Sequence, residues 1–465
     1  MFKPPILELG DDFYTPVKPA AFKTALLRYA DQELAQRLEL DIKDEKGWAQ
    51  SFHRFEPLKN NLPETLALKY HGHQFRHYNP DIGDGRGFLY AQIKSADKIL
   101  DLTTKGSGQT PFSRSGDGRL TLKGAFREAL CTLMLSGSGV NTSQTLCFFE
   151  TGEDLDRNDE PSPTRAAVLT RVMHSSIRIG TFERFVYEKK PEEIKKLVEY
   201  AERNYFKNWP ELQALKKDLV PPGDTFTSFY QSTVLLTVRT LAEWMLAGFV
   251  HGVLNTDNIN VTGESFDYGP YRFLPKYDSQ FTAAYFDQQG LYSYGRQPES
   301  IYWNLRSLGE VLNFADVSFD HGNTLSQFEK IFNYFVEEKL LRRLNLKSKD
   351  KKENLLLVQL FFEFLESSQA PFEQVFFDLH SARTGKWELS SNKEYYEKEN
   401  FSELKEHLLR FQAADKAFNQ HPYFLQNKAE TLLIDEIESL WTSIATNDDW
   451  KPFEEKVRRL KGKPI

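Results

Sequence analysis

The chain has 465 residues, of which 40% are hydrophobic and 14% aromatic, with 37 Phe and 20 Tyr. That composition can fill large cores in two lobes and excludes global disorder. A net charge of −7 at pH 7 argues against a nucleic-acid partner, and no apolar run reaches membrane-spanning length; any strong anion site must be a local cluster of Arg and Lys.

Residues 1–75 read as an N-terminal extension of proline-bearing extended segments, with a helix near residues 20–38. Over 76–190 the pattern turns strand-rich. The turn Gly83-Asp84-Gly85-Arg86-Gly87 runs into a strand over 88–93, and 99–102 continues as a second strand toward Lys105. A polar loop spans 106–119. Phe126, Ala129, Leu130, Leu133 and Met134 then recur at helical spacing, predicting a helix that ends near Gly137 and Gly139. Segments 145–150 and 166–172 read as further strands. Residues 191–465 read as a helical lobe, with helices over 192–205, 228–250, 299–318, 326–345, 353–368, 402–417 and 427–445. The 228–250 stretch is strongly apolar and reads as a buried helix delivering the chain to His251. A strand-rich lobe followed by a helical one is α+β, in the order of a bilobal protein-kinase-like fold. Cys131 and Cys147 read as buried small hydrophobes, with no disulfide framework or zinc signature. The start, Met1-Phe2-Lys3-Pro4-Pro5, has no apolar signal region, so the expected compartment is the cytoplasm.

The densest chemistry lies in His251-Gly252-Val253-Leu254-Asn255-Thr256-Asp257-Asn258, followed nine residues later by Asp267-Tyr268-Gly269. A kinase catalytic loop reads H-R-D-x-x-x-x-N and is followed by D-F-G. His251 and Asn258 stand at that spacing, and Asp267 stands where the metal-binding aspartate would. Val253 occupies the position of the kinase base. Asn258 and Asp267 offer oxygen ligands suited to a hard cation such as Mg²⁺ or Mn²⁺. Asp257 is the nearest carboxylate able to accept a proton from a substrate hydroxyl or to position it; its plain alternative is to cap a turn.

In the first lobe Lys105 ends a strand, and Glu128 follows in a helix. A kinase lysine grips phosphate oxygens and pairs with a helix glutamate. Gly83, Gly85 and Arg86 lie in a turn that can bring backbone N–H groups and a guanidinium to phosphate, although Gly-Asp-Gly also makes an ordinary hairpin. Arg171 and Arg178, seven residues apart, can clamp a polyphosphate or simply face solvent.

Together the stretches GDGRGF (83–88), KGSGQTPFSRSGDGR (105–119), Arg127-Glu128, RVMHSSIRIG (171–180) and HGVLNTDNINVTGESFDYGPYRF (251–273) resemble the selenoprotein O family, also called the YdiU family. The matches span about 190 residues in the family's order. The resemblance implies a protein-kinase-like fold, once classed as a pseudokinase, that transfers AMP from ATP to Ser, Thr or Tyr hydroxyls of proteins, with ATP bound in reverse. It implies that Lys105 is the phosphate lysine and Glu128 its partner. Gly83, Gly85 and Arg86 would belong to the nucleotide loop, completed by Asp117 and Gly118. Arg171 and Arg178 would hold the terminal phosphate, with Arg178 deep in the cleft and farthest from the reacting hydroxyl. Asp257 would be the catalytic base, and Asn258 and Asp267 the metal ligands. Many relatives carry selenocysteine or cysteine near the C-terminus, whereas here no cysteine follows Cys147. A γ-phosphate-transferring kinase and an inactive nucleotide-binding scaffold are the alternative readings; Val253 speaks against the first, and the retained Lys105, Glu128, Asn258 and Asp267 against the second.

Overall fold

The computed structural model describes residues 2–464 apart from Asp97, Asp159, Arg383 and Thr384. The fold is α+β. Its strands are β1 (Tyr14–Val17), β2 (Leu26–Ala30), β3 (Thr65–Leu68), β4 (Gly72–Gln74), β5 (His77–Asn79), β6 (Leu89–Ser95), β7 (Lys98–Lys105), β8 (Leu120–Thr121), β9 (Gln144–Leu155), β10 (Thr164–Met173), β11 (Phe249–Val250) and β12 (Arg272–Phe273). One antiparallel sheet runs in the order β1-β3-β6-β7-β10-β9-β2, with β8 paired to β10. Residues 14–68 thus supply three strands to the same sheet as β6, β7, β9 and β10.

Both faces of the sheet are covered. On one, the helix Leu122–Gly137 packs across β9 and β10. Thr121 caps its start, the hydroxyl accepting from the Gly124 amide at 3.1 Å, and Phe126, Ala129, Leu130 and Met134 are fully buried. On the other face Trp48, Phe52 and Phe55 pack with Phe88, Tyr90 and Phe149. The helices Ile434–Asn447 and Lys451–Lys461 return to the back of Leu122–Gly137, where Phe453 and Trp441 meet Phe126 at ring-centroid distances of 5.3 and 5.7 Å.

The remainder is largely helical around Thr225–Ala247. Asp224 caps this helix by accepting from the Thr227 amide at 2.8 Å, and it stops at Gly248, which takes a left-handed φ of 61°. β11 follows directly and pairs with β12, so the buried helix delivers the chain to His251. No helix of the described residues is long and apolar enough to cross a membrane.

Three expected helices differ. The one near 20–38 is instead β2 followed by a short helix, Gln32–Arg37; β2 pairs with β9, and Arg28 bonds Glu150 at 2.8 Å, so tertiary pairing outweighs helical periodicity. The 402–417 helix stops at Leu408, because backbone bonds from Ala414 to Asn345 and from Lys347 to Gln412 draw the chain away. The 427–445 helix begins only at Ile434, after Gln374 has accepted a bond from the Ala429 amide at 2.9 Å.

Cys131 and Cys147 are free and fully buried, and burial pushes both thiols well above their ordinary range. The Cys131→Ser/Cys147→Ser double variant is therefore expected to keep nucleotidyl transfer near wild type, with a modest loss of melting temperature from burying hydroxyls. A large fall in turnover at unchanged melting temperature would reveal a thiol role.

Candidate active site

Strand register brings the first two cations together. Arg171 on β10 stands directly opposite Thr103 on β7, and Lys105 lies two residues beyond Thr103. Side chains two apart share a face, as do directly opposed residues. Glu128, on the helix packed over that face, meets both: Lys105 Nζ lies 2.7 Å from one carboxylate oxygen and Arg171 Nη1 3.2 Å from the other. Arg171 also donates to Thr103 Oγ1 at 3.1 Å. The predicted Lys105–Glu128 pair is thus formed, and buried.

Asp267 closes the cluster. Its carboxylate lies 2.7 Å from Lys105 and 3.8 Å from Arg171. Burial alone would raise its pKa, but Lys105, Arg171, Arg178 and Arg86 outweigh that and hold it well below the usual carboxylate range. Its φ of 64° is left-handed, a region Asp and Asn tolerate better than most residues. His251 ties this segment to the preceding loop through a 2.9 Å bond between its Nε2 and the Phe266 carbonyl.

Arg178 comes from a second pairing. Residues 177–179 run beside 259–261, with Ile179 and Val261 amides donating to the Ile259 and Ile177 carbonyls. Arg178 then sits at the start of the helix Ile179–Tyr187, donates to the Asp257 carbonyl at 2.7 Å, and lies 3.6 Å from Asp84. Its guanidinium covers the Tyr70 ring at 4.3 Å. The 177–179 pairing thus sets Arg178 against the backbone of Asp257.

Asp257 is buried under the β4–β5 hairpin. Gly180 permits that approach, since a Cβ there would fall 1.9 Å from the His71 carbonyl oxygen. Gln74 of β4 donates to Asp257 Oδ2 at 3.4 Å, while Oδ1 is buried with no hydrogen-bond partner among the described residues. Burial pushes the carboxyl up to about 6, against the pull of Arg178 and with help from Asp267. Asn258 is also buried; its Nδ2 donates to the Val253 carbonyl at 2.9 Å.

The glycine-rich segments form the opposite wall. Gly83 and Gly85 press on Phe112, and Gly118, at φ 69°, lies against Gly108. Asp117 accepts both arms of Arg157, at 2.9 and 3.1 Å, and the Arg119 amide, so its carboxylate shapes the loop.

One open cleft of about 590 Å³ gathers these parts. Gly83, Gly85, Arg86, Lys105, Asp117, Gly118, Arg171, Arg178, Asp257 and Asp267 all line it. Glu128 stands behind Lys105, and Asn258 lies outside the lining. Seven Arg and Lys side chains face the cleft against four Asp, an anion-binding balance in an acidic protein. Tyr70, Gln74 and Asp84 also line it and escaped the sequence reading. Asp84 was visible inside the glycine-rich turn, whereas Tyr70 and Gln74 carry no local signal.

The chain belongs to the SelO family: a family model described as protein adenylyltransferase SelO matches residues 1–461. It is 40% identical to the protein nucleotidyltransferase YdiU of Trichodesmium erythraeum, over 99% of this chain and 98% of that protein. The corresponding protein of Synechocystis sp. is 38% identical over 99% and 97%, and that of Photobacterium profundum 34% identical over 80% and 73%. The family resemblance and the expectation of a nucleotidyltransferase enzyme are thereby borne out.

Proposed function

We propose that this enzyme transfers AMP from ATP to Ser, Thr or Tyr hydroxyls of proteins and releases pyrophosphate. The observation that carries this reading is the convergence of Lys105, Arg171 and Arg178 with Asp257 and Asp267 on one cleft. The same reading takes the sheet and its covering helix as the first lobe of a kinase-like fold, and residues 191–465 as the second, with the cleft between them.

In this account Lys105, steadied by Glu128, binds phosphate oxygens of the nucleotide. Arg171 and Arg178 neutralise the phosphates of the departing pyrophosphate, while Gly83, Gly85 and Arg86 border the nucleotide from the other wall. Asp257 takes the proton as the acceptor oxygen bonds to the α-phosphorus and the bond from that phosphorus to the β-phosphate oxygen breaks. Val253 leaves no carboxylate at the kinase position, which favours this route over γ-phosphate transfer.

Asn258 and Asp267 fit a Mg²⁺ or Mn²⁺ ion. The Asn258 amide nitrogen is committed to Val253, leaving its carbonyl oxygen for a ligand, and Asp267 is held ionised. Among the described residues no cluster of three or more His, Cys, Asp or Glu could hold a metal unaided, so phosphate oxygens would complete the shell, as is usual for Mg²⁺. When bound, such an ion supplies charge neutralisation on the phosphates.

The products test the reading. Pyrophosphate should accumulate with modified acceptor; ADP formed in step with acceptor modification would contradict it. A pH expectation follows as well. A base acts only when deprotonated, and burial raises Asp257 to about 6. Because kcat/KM reports the free enzyme, it should fall as pH drops below 6 and level off above. An acid limb at the ordinary carboxylate value, about 4, would remove Asp257 from that role.

A further inference from the structure

Asp257 has little to aim it. Its carboxylate receives one long bond, from Gln74, and Oδ1 receives none among the described residues. Its direction is therefore set by the backbone at 256–258 and by the strand that carries Gln74. Both are held by the same side chain, Glu183.

Glu183 lies on the helix Ile179–Tyr187 and is 3% exposed. Among the described residues no Lys or Arg forms an ion pair with it, and only His73 lies at ion-pair distance. A buried carboxylate without such a partner is costly unless its oxygens are hydrogen-bonded. Here Oε1 accepts from His73 Nδ1 at 2.8 Å and from Ser307 at 2.6 Å, while Oε2 accepts from Thr256 Oγ1 at 2.6 Å. The Thr256 hydroxyl in turn accepts from the His73 amide at 2.7 Å. The bond to Ser307 joins two helices. The other two go to the residue before Asp257 and the residue before Gln74, a pattern that packing alone does not require.

We infer that Glu183 is a positioning residue for the transfer, fixing Asp257 through Thr256 on one side and through His73 and Gln74 on the other. This rests on the reading of Asp257 as the base. Glu183 touches no part of the cleft lining, so its removal should change the chemical step and leave nucleotide binding in place.

The test is a double-mutant cycle on the whole chain, with casein as acceptor and pyrophosphate release as readout, alongside calorimetric ATP affinity and melting temperature. Glu183→Gln should lower kcat by roughly 10–100-fold, the range found for groups that orient metal ligands through one hydrogen bond, with ATP affinity within about twofold of wild type. Thr256→Val should also lower kcat, Thr256→Ser should recover near-normal kcat, and the double variant should be no worse than Glu183→Gln alone, because that change already breaks the link to Thr256. If Glu183→Gln does not fold, Thr256→Val and Thr256→Ser carry the comparison. Additive losses, or ATP affinity falling in parallel with kcat, would overturn the inference. Asp257→Asn separates the two claims. With it inactive and Glu183→Gln at wild-type kcat, the positioning role alone falls. With it active, the base assignment falls and the inference with it.

Discussion

Asp267→Asn is expected to abolish transfer while leaving the fold intact. Asparagine keeps the size of the side chain and tolerates the left-handed φ of 64° at this position, so the change isolates the charge. That charge now faces Lys105 at 2.7 Å and Arg171 at 3.8 Å and is the stronger of the two proposed metal ligands. Losing one preorganised electrostatic contact to a transferring phosphoryl group costs on the order of 10²-fold in rate or more. Here the substitution also leaves a buried excess of positive charge beside Glu128. Turnover measured with Mg²⁺ and with Mn²⁺, next to a melting curve, checks the expectation; a folded variant within a few-fold of wild type would remove Asp267 from the machinery.

Lys105→Met should affect both stability and binding. Its ammonium lies between Glu128 and Asp267 and is 7% exposed. Breaking a buried pair by deleting one partner typically costs about 3–5 kcal/mol. Arg171 remains on Glu128 at 3.2 Å, which places the expected loss at the low end of that range. Loss of a charge-assisted contact to phosphate adds about 1.5–3 kcal/mol to the binding free energy, roughly 10–100-fold in ATP affinity. Denaturant unfolding and calorimetric titration measure the two effects separately. Unchanged ATP affinity in the folded variant would show that Lys105 serves structure alone.

The parts of the site legible in the sequence are those whose signal is local. Strand period puts Lys105 and Arg171 on one face and helix spacing presents Glu128 to them, and those periods are visible in the chain; Asp267 joins them from a loop at a left-handed φ, marked in the sequence by its spacing from Asn258. The parts that were missed depend on long-range approach. Gln74 reaches Asp257 only because Gly180 lets the His71 carbonyl lie against the helix start. Arg178 lies beside Asp257 because 177–179 pairs with 259–261, a contact no local pattern announces. The fold follows the same division. The buried helix Thr225–Ala247 is legible in the apolar run of 228–250, whereas β2 reads as helix because its partner, β9, lies more than 100 residues away. The backing of the Glu128 helix by Trp441 and Phe453 was likewise invisible, since it joins the sheet region to the last helices of the chain.

The central claim is that the α-phosphate, with its adenosine, is what reaches the acceptor. Parallel incubations with ATP labelled at the α- or at the γ-phosphate, with a divalent cation and an acceptor protein, test it most directly. The account predicts stable label on protein from α-labelled ATP and none from γ-labelled ATP, with the signal lost in Asp267→Asn. Stable γ-label on protein hydroxyls, without α-label, would contradict it.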